Sequence, residues 1–307
     1  MLNINLQTFI FAARSDSSFI SYTLPSLFSM CKKSGTKISV VLDTGIPSGV
    51  LASSLAQSNL EEISNIIESL QKSKNFELEQ AEYDHKSIKD LNERQFQFPY
   101  KETHCFRGYP IYGSFKQFFD TSADYILHLD CDMIFYEKSN FSWIEEGINI
   151  MENNQDILCV LPRGGPPSKD TSLHQNDTEY MIDKKRNIYL FKNFTSRHYL
   201  INRERFLSIL PLKPLWLSWR EPIKSRLFGN GKMLCWETMV GNALEKSHMW
   251  RADLMTDEAW SLHPGERTDE FYNLLPKIIE CVNNNEFPEE QRGHFDLRLN
   301  NWVSFLN

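Results

Sequence analysis

The first half of the chain alternates between short apolar runs and segments with apolar residues at helical spacing. Apolar runs at 8–13, 37–42 and 76–82 predict strands, and residues 19–30 and 51–73 predict helices between them. Strands that alternate with helices in this way are typical of a mostly parallel sheet covered by helices. The pattern therefore predicts an α/β fold for this half.

The predicted strand at 125–129 is an apolar run rich in strand-forming residues, and it ends differently from the others. It is followed by two carboxylates, Asp130 and Asp132, and then by the apolar residues 133–135. Side chains in an extended chain alternate between faces, so this spacing predicts that both carboxylates point the same way. Two like charges at a buried strand end repel each other, and a hard divalent cation relieves that repulsion. The alternative is that one aspartate caps a turn while the other is solvated.

The second half of the chain is less regular. Its predicted helices lie at 141–153, 203–210, 236–246 and 269–283, and its predicted strands at 156–161, 187–192, 197–201 and 249–255. Residues 211–232 contain three prolines, two tryptophans and two glycines, which predicts a long ordered loop or lid. Loops of this length in compact domains are usually functional.

Composition narrows the class of protein. The chain has 307 residues, of which 41% are hydrophobic and 24% charged, as in ordinary globular proteins. Its net charge of −7 argues against a general affinity for nucleic acid. Six widely spaced cysteines predict free thiols in a reducing compartment. The apolar stretch at 9–13 is too short for a signal peptide or a transmembrane span, so we expect a cytoplasmic protein, for which peripheral membrane contact stays open.

Basic residues concentrate in one segment of this acidic chain. Residues 203–232 hold seven Lys or Arg against two Glu, a local net charge of +5. A solvated face explains scattered charges of this kind. Because Trp216 and Trp219 lie in the same segment, the alternative is a lid that closes over a bound ligand.

Polar residues follow three of the predicted strands of the first half. Arg14, Asp43, Asp130 and Asp132 stand at these strand ends. In open α/β sheets, ligands bind beyond the carboxyl ends of the strands. Asp43 and Arg14 also suit ordinary turns, but in a cleft Arg14 would be a partner for a phosphate or a base edge. The strand ends therefore predict a nucleotide cleft.

The order of these segments resembles a known family. A strand, a helix, a strand that ends in Asp-x-Gly at Asp43, and then Ala-Asp-Tyr-Ile-Leu-His-Leu-Asp-Cys-Asp-Met-Ile-Phe at 123–135 resemble nucleotide-sugar glycosyltransferases of the GT-A fold, particularly the family 2-like group. The resemblance covers about residues 8–265 and is strongest over 114–161. It implies an α/β fold of GT-A type, with a mostly parallel central sheet flanked by helices.

No internal repeat or linker divides the chain, so we expect one domain over 1–307. The resemblance implies a Rossmann-like nucleotide-sugar-binding half at 1–135. It implies a less regular acceptor and catalytic half at 136–270, followed by a C-terminal helix and tail at 271–307.

The resemblance also implies a donor site. Asp130 and Asp132 become the pair that binds ribose and a divalent cation, Mn²⁺ or Mg²⁺, and Asp43 contacts the base or the ribose. Ala12, Arg14 and Lys116 are further donor contacts by the same resemblance. The sequence departs from the usual Pro-x-Tyr-Asn at the first strand, where residues 12–15 are Ala-Ala-Arg-Ser.

For the acceptor side, the resemblance singles out Glu237 and His263. Glu237, followed by Thr238 where the family has an aspartate, is the candidate general base that accepts the proton of the attacking hydroxyl. A glutamate in the first helical turn, stabilised by the helix dipole, is the alternative. His263 resembles the C-terminal histidine that ligates the metal, although a lone histidine is usually structural or exposed. The tryptophans predicted to contact the acceptor or to form the lid are Trp216, Trp219 and Trp236.

These features together predict a metal-dependent glycosyltransferase of the hexosyltransferase class. The donor would be a UDP- or GDP-sugar and the acceptor a hydroxyl, as in a glycan or glycolipid precursor. Inversion is favoured because Glu237 can serve as a base. One alternative is a nucleotidyltransferase, which typically has a glycine-rich loop after its first strand, whereas residues 12–18 contain no glycine. The other is a non-catalytic sugar-nucleotide-binding or scaffold protein on the same fold.

Overall fold

The computed structural model describes residues 4–45, 60–174 and 179–306. The strands are β1 (Leu6–Ala13), β2 (Lys37–Asp43), β3 (Glu77–Gln80), β4 (Tyr125–Asp130), β5 (Ile134–Glu137), β6 (Ile157–Leu161), β7 (Arg163–Gly164), β8 (Met181–Asp183), β9 (Ile188–Phe191), β10 (His198–Asn202), β11 (Trp250–Leu254) and β12 (Ala259–Leu262). The helices are α1 (Ile20–Lys33), α2 (Leu60–Gln71), α3 (His85–Phe96), α4 (Tyr112–Phe119), α5 (Trp143–Asn153), α6 (Arg203–Ser208), α7 (Glu221–Phe228), α8 (Trp236–Lys246), α9 (Asp269–Asn283) and α10 (Leu299–Leu306). Two short 3₁₀ helices lie at Arg14–Asp16 and Glu289–Gln291.

The described strands form one large sheet and one small sheet. The large sheet has the order β3-β2-β1-β4-β10-β6-β11-β9-β8. Following its pairings from strand to strand, seven of the nine strands run in one direction, and β10 and β9 run in the other. Three strands, β5, β12 and β7, form the small sheet. The predicted α/β class with a mostly parallel central sheet flanked by helices is confirmed.

Each face of the large sheet has its own hydrophobic core. In β1, Ile10 and Ala12 belong to one core and Phe9 and Phe11 to the other, as the alternation of an extended strand requires. The first core is covered by α1, α2, α5, α9 and α10. The second core is covered by α3, α4, α6 and α8. Burial on both faces explains why the central strands are continuous apolar runs.

The parallel strands bring their carboxyl ends to one edge of the sheet. Ala13 pairs with Asp43 at the ends of β1 and β2, and Phe11 pairs with Asp130 at the end of β4. The chain then turns at residues 131–132 and enters β5 of the small sheet. Asp132 therefore lies in a turn and not in the extended strand that contains Asp130.

Some segments differ from the sequence predictions, among them two helices. Residues 85–96 form α3, which the sequence did not predict; Asp84 caps this helix by accepting hydrogen bonds from two backbone amides. Residues 211–232 were expected to be one long loop, but they contain α7. Pro222 stands in the first turn of α7, where a missing amide proton costs little, and Gly229 ends the helix at φ +69°. Of the helix predicted over 51–73, residues 51–59 lie outside the described residues.

No helix in the described part of the chain has the length and the apolar character needed to span a membrane. The division into a nucleotide-binding half and an acceptor half is a functional one, and it stays a prediction.

Candidate active site

Asp43, at the end of β2, has partners for both of its carboxylate oxygens. Its Oδ2 lies 3.2 Å from Nε2 of His104, and its Oδ1 accepts hydrogen bonds from the Tyr83 hydroxyl and, at 2.9 Å, from the Gly45 amide. The rings of Tyr83 and His104 stack with their centroids 5.6 Å apart. Burial acts to raise the pKa of Asp43, but the hydrogen bonds outweigh it and the pKa is lowered. We call Asp43, Tyr83 and His104 the Asp43 region; its carboxylate is held in the charged form at the sheet edge.

The other predicted donor contacts have varied surroundings. Arg14 donates from Nη2 to the Thr44 carbonyl at 3.0 Å, and its buried Nε lacks a hydrogen-bond partner among the described residues. Ala12 is buried within β1, and Lys116 forms an ion pair with Asp120 one helical turn away. Arg14 thus has an unused donor beside the Asp43 region. The donor contacts predicted for Ala12 and Lys116 stay predictions.

Asp132 is buried in the turn after β4 and forms an ion pair with Arg267. The same guanidinium reaches Oδ1 of Asp16 at 3.4 Å. The other oxygen of Asp16 accepts hydrogen bonds from the Ala13 amide at 2.8 Å and from the Cys131 thiol at 3.0 Å. Burial raises the pKa of Asp16, although Arg267 acts in the opposite direction. Arg267 is therefore the shared counterion of two buried carboxylates.

His263 links Asp132 to a third carboxylate. Its Nε2 lies 3.7 Å from Oδ2 of Asp132, and its Nδ1 lies 3.1 Å from Oδ1 of Asp296. The hydrogen bond with His263 lowers the pKa of Asp296. The buried Oδ1 of Asp132 has no hydrogen-bond partner within the described ranges. A buried carboxylate oxygen without a partner is costly unless something else satisfies it, so this atom points to a ligand.

Asp130 faces different neighbours. Its Oδ1 lies 3.2 Å from Nε2 of His128, and its amide donates to the Arg197 carbonyl at 2.6 Å. His128 is buried, as expected for a residue inside a strand, and stacks on Tyr199 with the ring centroids 4.7 Å apart. The side chains of Asp130 and Asp132 thus have separate partners. The strand alternation that predicted a shared face does not extend through the turn.

A pocket of about 340 Å³ has Arg197 and Asp296 in its lining, and neither Asp130 nor Asp132 lines it. Glu237, at the start of α8, lines it, and Ser196 donates from Oγ to Oε2 of Glu237 at 3.4 Å. Burial raises the pKa of Glu237, while Arg197 and Arg251 act against the rise. We call this cavity the Glu237 pocket. The polar residues in its lining are His174, Asn193, Thr195, Arg197, His198, Glu237, Arg251, Asp253, His294, Asp296 and Arg298.

The lining of the Glu237 pocket connects it to the two aspartates. Asp296 contacts His263, which lies next to Asp132. The carbonyl oxygen of Arg197 accepts a hydrogen bond from the backbone amide of Asp130. Arg251 is held in place by a buried two-pronged ion pair with Asp253, at 2.7 and 2.6 Å. The pocket therefore joins a candidate base to the Asp-x-Asp turn.

The three tryptophans predicted for the acceptor side lie elsewhere. Trp236 is buried in the core against Phe115, with the ring centroids 5.2 Å apart. Trp216 packs edge-on against Tyr100 at 5.3 Å. Trp219 is exposed to solvent, with Arg220 over its ring at 5.1 Å. None of them is part of the Glu237 pocket lining.

The predicted metal ligands are only partly brought together. Asp132 and His263 fit a divalent cation, because an unsatisfied carboxylate oxygen and an imidazole nitrogen are both ligands of Mn²⁺-like ions. Asp130 belongs to a separate network, and within the described residues no three His, Cys, Asp or Glu side chains are grouped to hold a metal ion. Two protein ligands fit, and the rest of a coordination shell would come from a ligand.

Sequence reasoning missed several residues of this edge. Asp16 lies in the same polar turn as Arg14, so the strand-end rule that selected Arg14 was enough to find it. Arg267, Asp296 and His104 come from distant positions and carry no local spacing signal. Only the folded chain places them beside Asp132 and Asp43.

Comparisons with known proteins find only distant structural likenesses. No family model matches the chain, and no curated protein matches it. Among solved structures, TarS from S. aureus is 10% identical over 84% of this chain, with a TM-score of 0.41. An active-site mutant of LgtC is 10% identical over 94% of this chain and 99% of its own, with a TM-score of 0.42. UDP-glucose pyrophosphorylase complexed with UDP-glucose is 10% identical over 92% of this chain and 98% of its own, with a TM-score of 0.44.

This chain spans only 36% of the TarS chain. At about 10% identity and TM-scores below 0.5, these three likenesses carry no weight for function.

Proposed function

We propose that the chain is a GT-A-type glycosyltransferase that moves one sugar from a nucleoside-diphosphate donor to a hydroxyl acceptor. The observation that carries the proposal is Glu237, a carboxylate whose pKa is raised and which lines a pocket that is connected to Asp130 through Arg197 and to Asp132 through Asp296 and His263. A raised pKa makes a carboxylate a stronger base toward an attacking hydroxyl. The residue motifs that resemble GT-A enzymes converge on the same edge of the sheet.

The Asp43 region supports a nucleoside site. Its carboxylate is fixed by Tyr83 and His104, and its lowered pKa keeps it charged, so it is suited to accept hydrogen bonds from ribose hydroxyls or a base edge. Arg14, with an unused Nε, stands next to it. We assign Arg14 to the diphosphate, since a guanidinium matches phosphate geometry.

The proposal includes a divalent cation, Mn²⁺ or Mg²⁺, held by Asp132 and His263. Such an ion neutralises the charge that develops on a departing diphosphate. Arg267 already compensates the charge of Asp132 in this structure. The guanidinium and a cation would therefore compete for the same carboxylate.

The chain's own residues supply the proton transfer. Glu237 accepts the proton of the acceptor hydroxyl while that oxygen forms its bond to the anomeric carbon, and the bond from that carbon to the diphosphate breaks. A single displacement of this kind inverts the anomeric centre. Arg197 and Arg251 limit the rise in the pKa of Glu237, because their positive charges favour the charged form of the carboxylate.

Finer parts of the proposal rest on the family resemblance. They are family 2-like membership, a hexose as the transferred sugar, a UDP- or GDP-linked donor and a glycan or glycolipid precursor as the acceptor. The proposed cytoplasmic location rests instead on the short apolar stretch at 9–13 and the widely spaced cysteines.

Calorimetric titration of UDP, GDP and their sugars, with and without Mn²⁺, tests the donor site. We expect one nucleotide to bind in a metal-dependent way, and Asp132→Asn to weaken that binding in a variant whose circular dichroism spectrum shows that it is still folded. Asp183→Asn is the matched control, because Asp183 also pairs with an arginine, Arg186 at 2.7 Å, but lies outside this site. Binding that is unchanged both in Asp132→Asn and in excess chelator would overturn the metal assignment.

A further inference from the structure

Exposed apolar side chains concentrate on α7 and the loop before it. These side chains are Leu217, Trp219, Ile223, Leu227 and Phe228, which are 51%, 74%, 52%, 66% and 71% exposed. Soluble proteins scatter single exposed apolar residues, but a contiguous group marks an interaction surface. We call residues 213–232 the α7 platform.

The opposite side of the α7 platform is anchored to the rest of the protein. Ser225 is buried and donates to Oε2 of Glu102 at 2.7 Å, and the Gly231 amide donates to the other oxygen of Glu102 at 2.7 Å. A Cβ at Gly231 would lie 2.6 Å from the Glu221 carbonyl oxygen, which is too close for any side chain. The backbone at residue 231 therefore packs against α7 at a distance that requires glycine. The outward apolar residues therefore sit on a fixed base.

Cations surround these apolar side chains. Five basic residues stand against one acidic residue in the α7 platform, a local net charge of +4 in a chain whose net charge is −7. The acid, Glu221, is itself buried and paired with Lys224 at 2.9 Å. The basic residues are Lys213, Arg220, Lys224, Arg226 and Lys232, all of them exposed.

We propose that the α7 platform binds an anionic membrane surface. Trp219, Leu227 and Phe228 enter the boundary between headgroups and acyl chains, while the basic side chains bind the anionic headgroups. Interfacial helices have this composition, with Trp, Phe and Leu on the apolar side and Lys or Arg beside them. Long basic side chains lay their methylene stems along apolar groups and keep their charges in the headgroup layer.

Charge complementarity favours this occupant over a second copy of the chain. A two-fold dimer brings a surface against itself, so the five cations of one α7 platform would face those of its partner. An anionic bilayer offers the opposite charge and an apolar layer at once. The inference is independent of the proposed transfer activity.

Sedimentation with vesicles tests the inference on the full chain. Vesicles of phosphatidylcholine mixed with phosphatidylglycerol should pellet the wild type, and pure phosphatidylcholine vesicles should not. Brominated acyl chains should quench part of the tryptophan emission, and Trp219→Phe should remove that quenched part. High salt should weaken the binding, because exposed charges are screened.

Two variants separate the apolar and the charged contributions. Phe228→Ser combined with Leu227→Ser should lower the vesicle partition coefficient at least about tenfold, since several buried methylene groups are lost. Lys213→Glu combined with Arg220→Glu should lower it by a similar factor, about tenfold, by charge reversal. Phe305→Ser is the matched control, because Phe305 is 45% exposed but lies on α10, outside the α7 platform. This variant should bind vesicles as the wild type does.

These positions are exposed, so all variants should keep the circular dichroism spectrum and melting temperature of wild type. Three results would overturn the inference: failure of wild type to bind the mixed vesicles, equal binding to neutral vesicles, or equal binding by the Phe228 and Leu227 double variant. A dimer in light scattering that Phe228→Ser dissociates would assign the surface to a second copy instead.

Discussion

The Asp43 region and the Glu237 pocket lie at the same edge of the sheet but treat their carboxylates in opposite ways. Asp43 has partners on both oxygens, and its pKa is lowered. Glu237 has one hydroxyl at 3.4 Å, and its pKa is raised by burial. A carboxylate that is fully bonded and stays charged suits binding, whereas one with a raised pKa is ready to take a proton. The contrast separates a binding end of the edge from a chemical end.

Asp132 lies between these two extremes. Its charge is compensated by Arg267, yet one of its oxygens is buried without a partner within the described residues. The Asp-x-Asp turn therefore has charge balance without full hydrogen bonding. A ligand that supplies the missing contact would join the two ends of the site.

The largest effect should come from Glu237→Gln. The variant keeps the shape but cannot accept a proton, so we expect the turnover number to fall about 10²- to 10⁴-fold with little change in donor affinity. Steady-state kinetics with a fixed acceptor and varied donor would measure both. A loss confined to the donor KM would assign Glu237 to binding and remove the contrast with Asp43.

Asp43→Asn should give the complementary result. The variant loses the charge that Tyr83 and His104 bind, and donor affinity should fall about 10- to 100-fold, the range for hydrogen bonds to a charged group. The turnover number at saturating donor should change little. Calorimetric titration of the donor would measure the affinity, and steady-state kinetics would measure the turnover number. A large fall in the turnover number with unchanged donor affinity would contradict the binding role of Asp43.

A smaller effect is expected from Arg267→Met. Removal of the guanidinium frees the Asp132 carboxylate and also removes a positive charge that repels the cation. We therefore expect Mn²⁺ to bind at least about tenfold more tightly. Titration of Mn²⁺ by electron paramagnetic resonance would measure this directly. Weaker Mn²⁺ binding by a variant that is still folded would show that Arg267 and the cation do not compete.

The pH profile should show the raised pKa of Glu237. A base is active only when deprotonated, so the acidic limb of kcat/KM should have its midpoint above 4.5, the ordinary value for glutamate. The limb should be absent from the residual activity of Glu237→Gln. A midpoint at or below 4.5 would contradict the environment described for Glu237.

The smallest effect concerns stability. Because the folded state raises the pKa of Glu237, it binds the proton more tightly than the unfolded chain, and stability falls as pH rises from 4.5 through the raised pKa. Above that window Glu237→Gln should be at least as stable as wild type. Urea unfolding at pH 5 and pH 8 would test this, and a marked loss of stability at pH 8 would favour the alternative in which Glu237 stabilises the first turn of α8 through the helix dipole.

Much of the fold follows from local pattern. The strands β1, β2, β4 and β6 are apolar runs, and the parallel arrangement follows from their alternation with helices. By contrast, α3 has few apolar positions and is defined mainly by its cap at Asp84, so periodicity alone did not identify it. For α7, a proline in the first turn was taken as a loop signal although it is favourable there.

From local pattern alone, the site was predictable where it depends on strand ends, and Glu237 and His263 were selected only through the family resemblance. Asp43, Asp130 and Asp132 follow apolar runs, so a local rule selects them. Arg267 reaches Asp132 across 135 residues, and His104 reaches Asp43 across 61. Contacts of this range depend on tertiary packing, and no spacing along the chain encodes them.

Phosphorus NMR of the products is the most direct test of the claim that the Glu237 pocket transfers a sugar from a nucleoside diphosphate. With UDP- and GDP-sugars, Mn²⁺ and a panel of hydroxyl acceptors, wild type and Asp183→Asn should release the nucleoside diphosphate, and Glu237→Gln should release it at least about 10²-fold more slowly. Formation of a nucleoside triphosphate and a sugar 1-phosphate when pyrophosphate is added would identify a nucleotidyltransferase instead. Equal diphosphate release by wild type and Glu237→Gln would contradict the account.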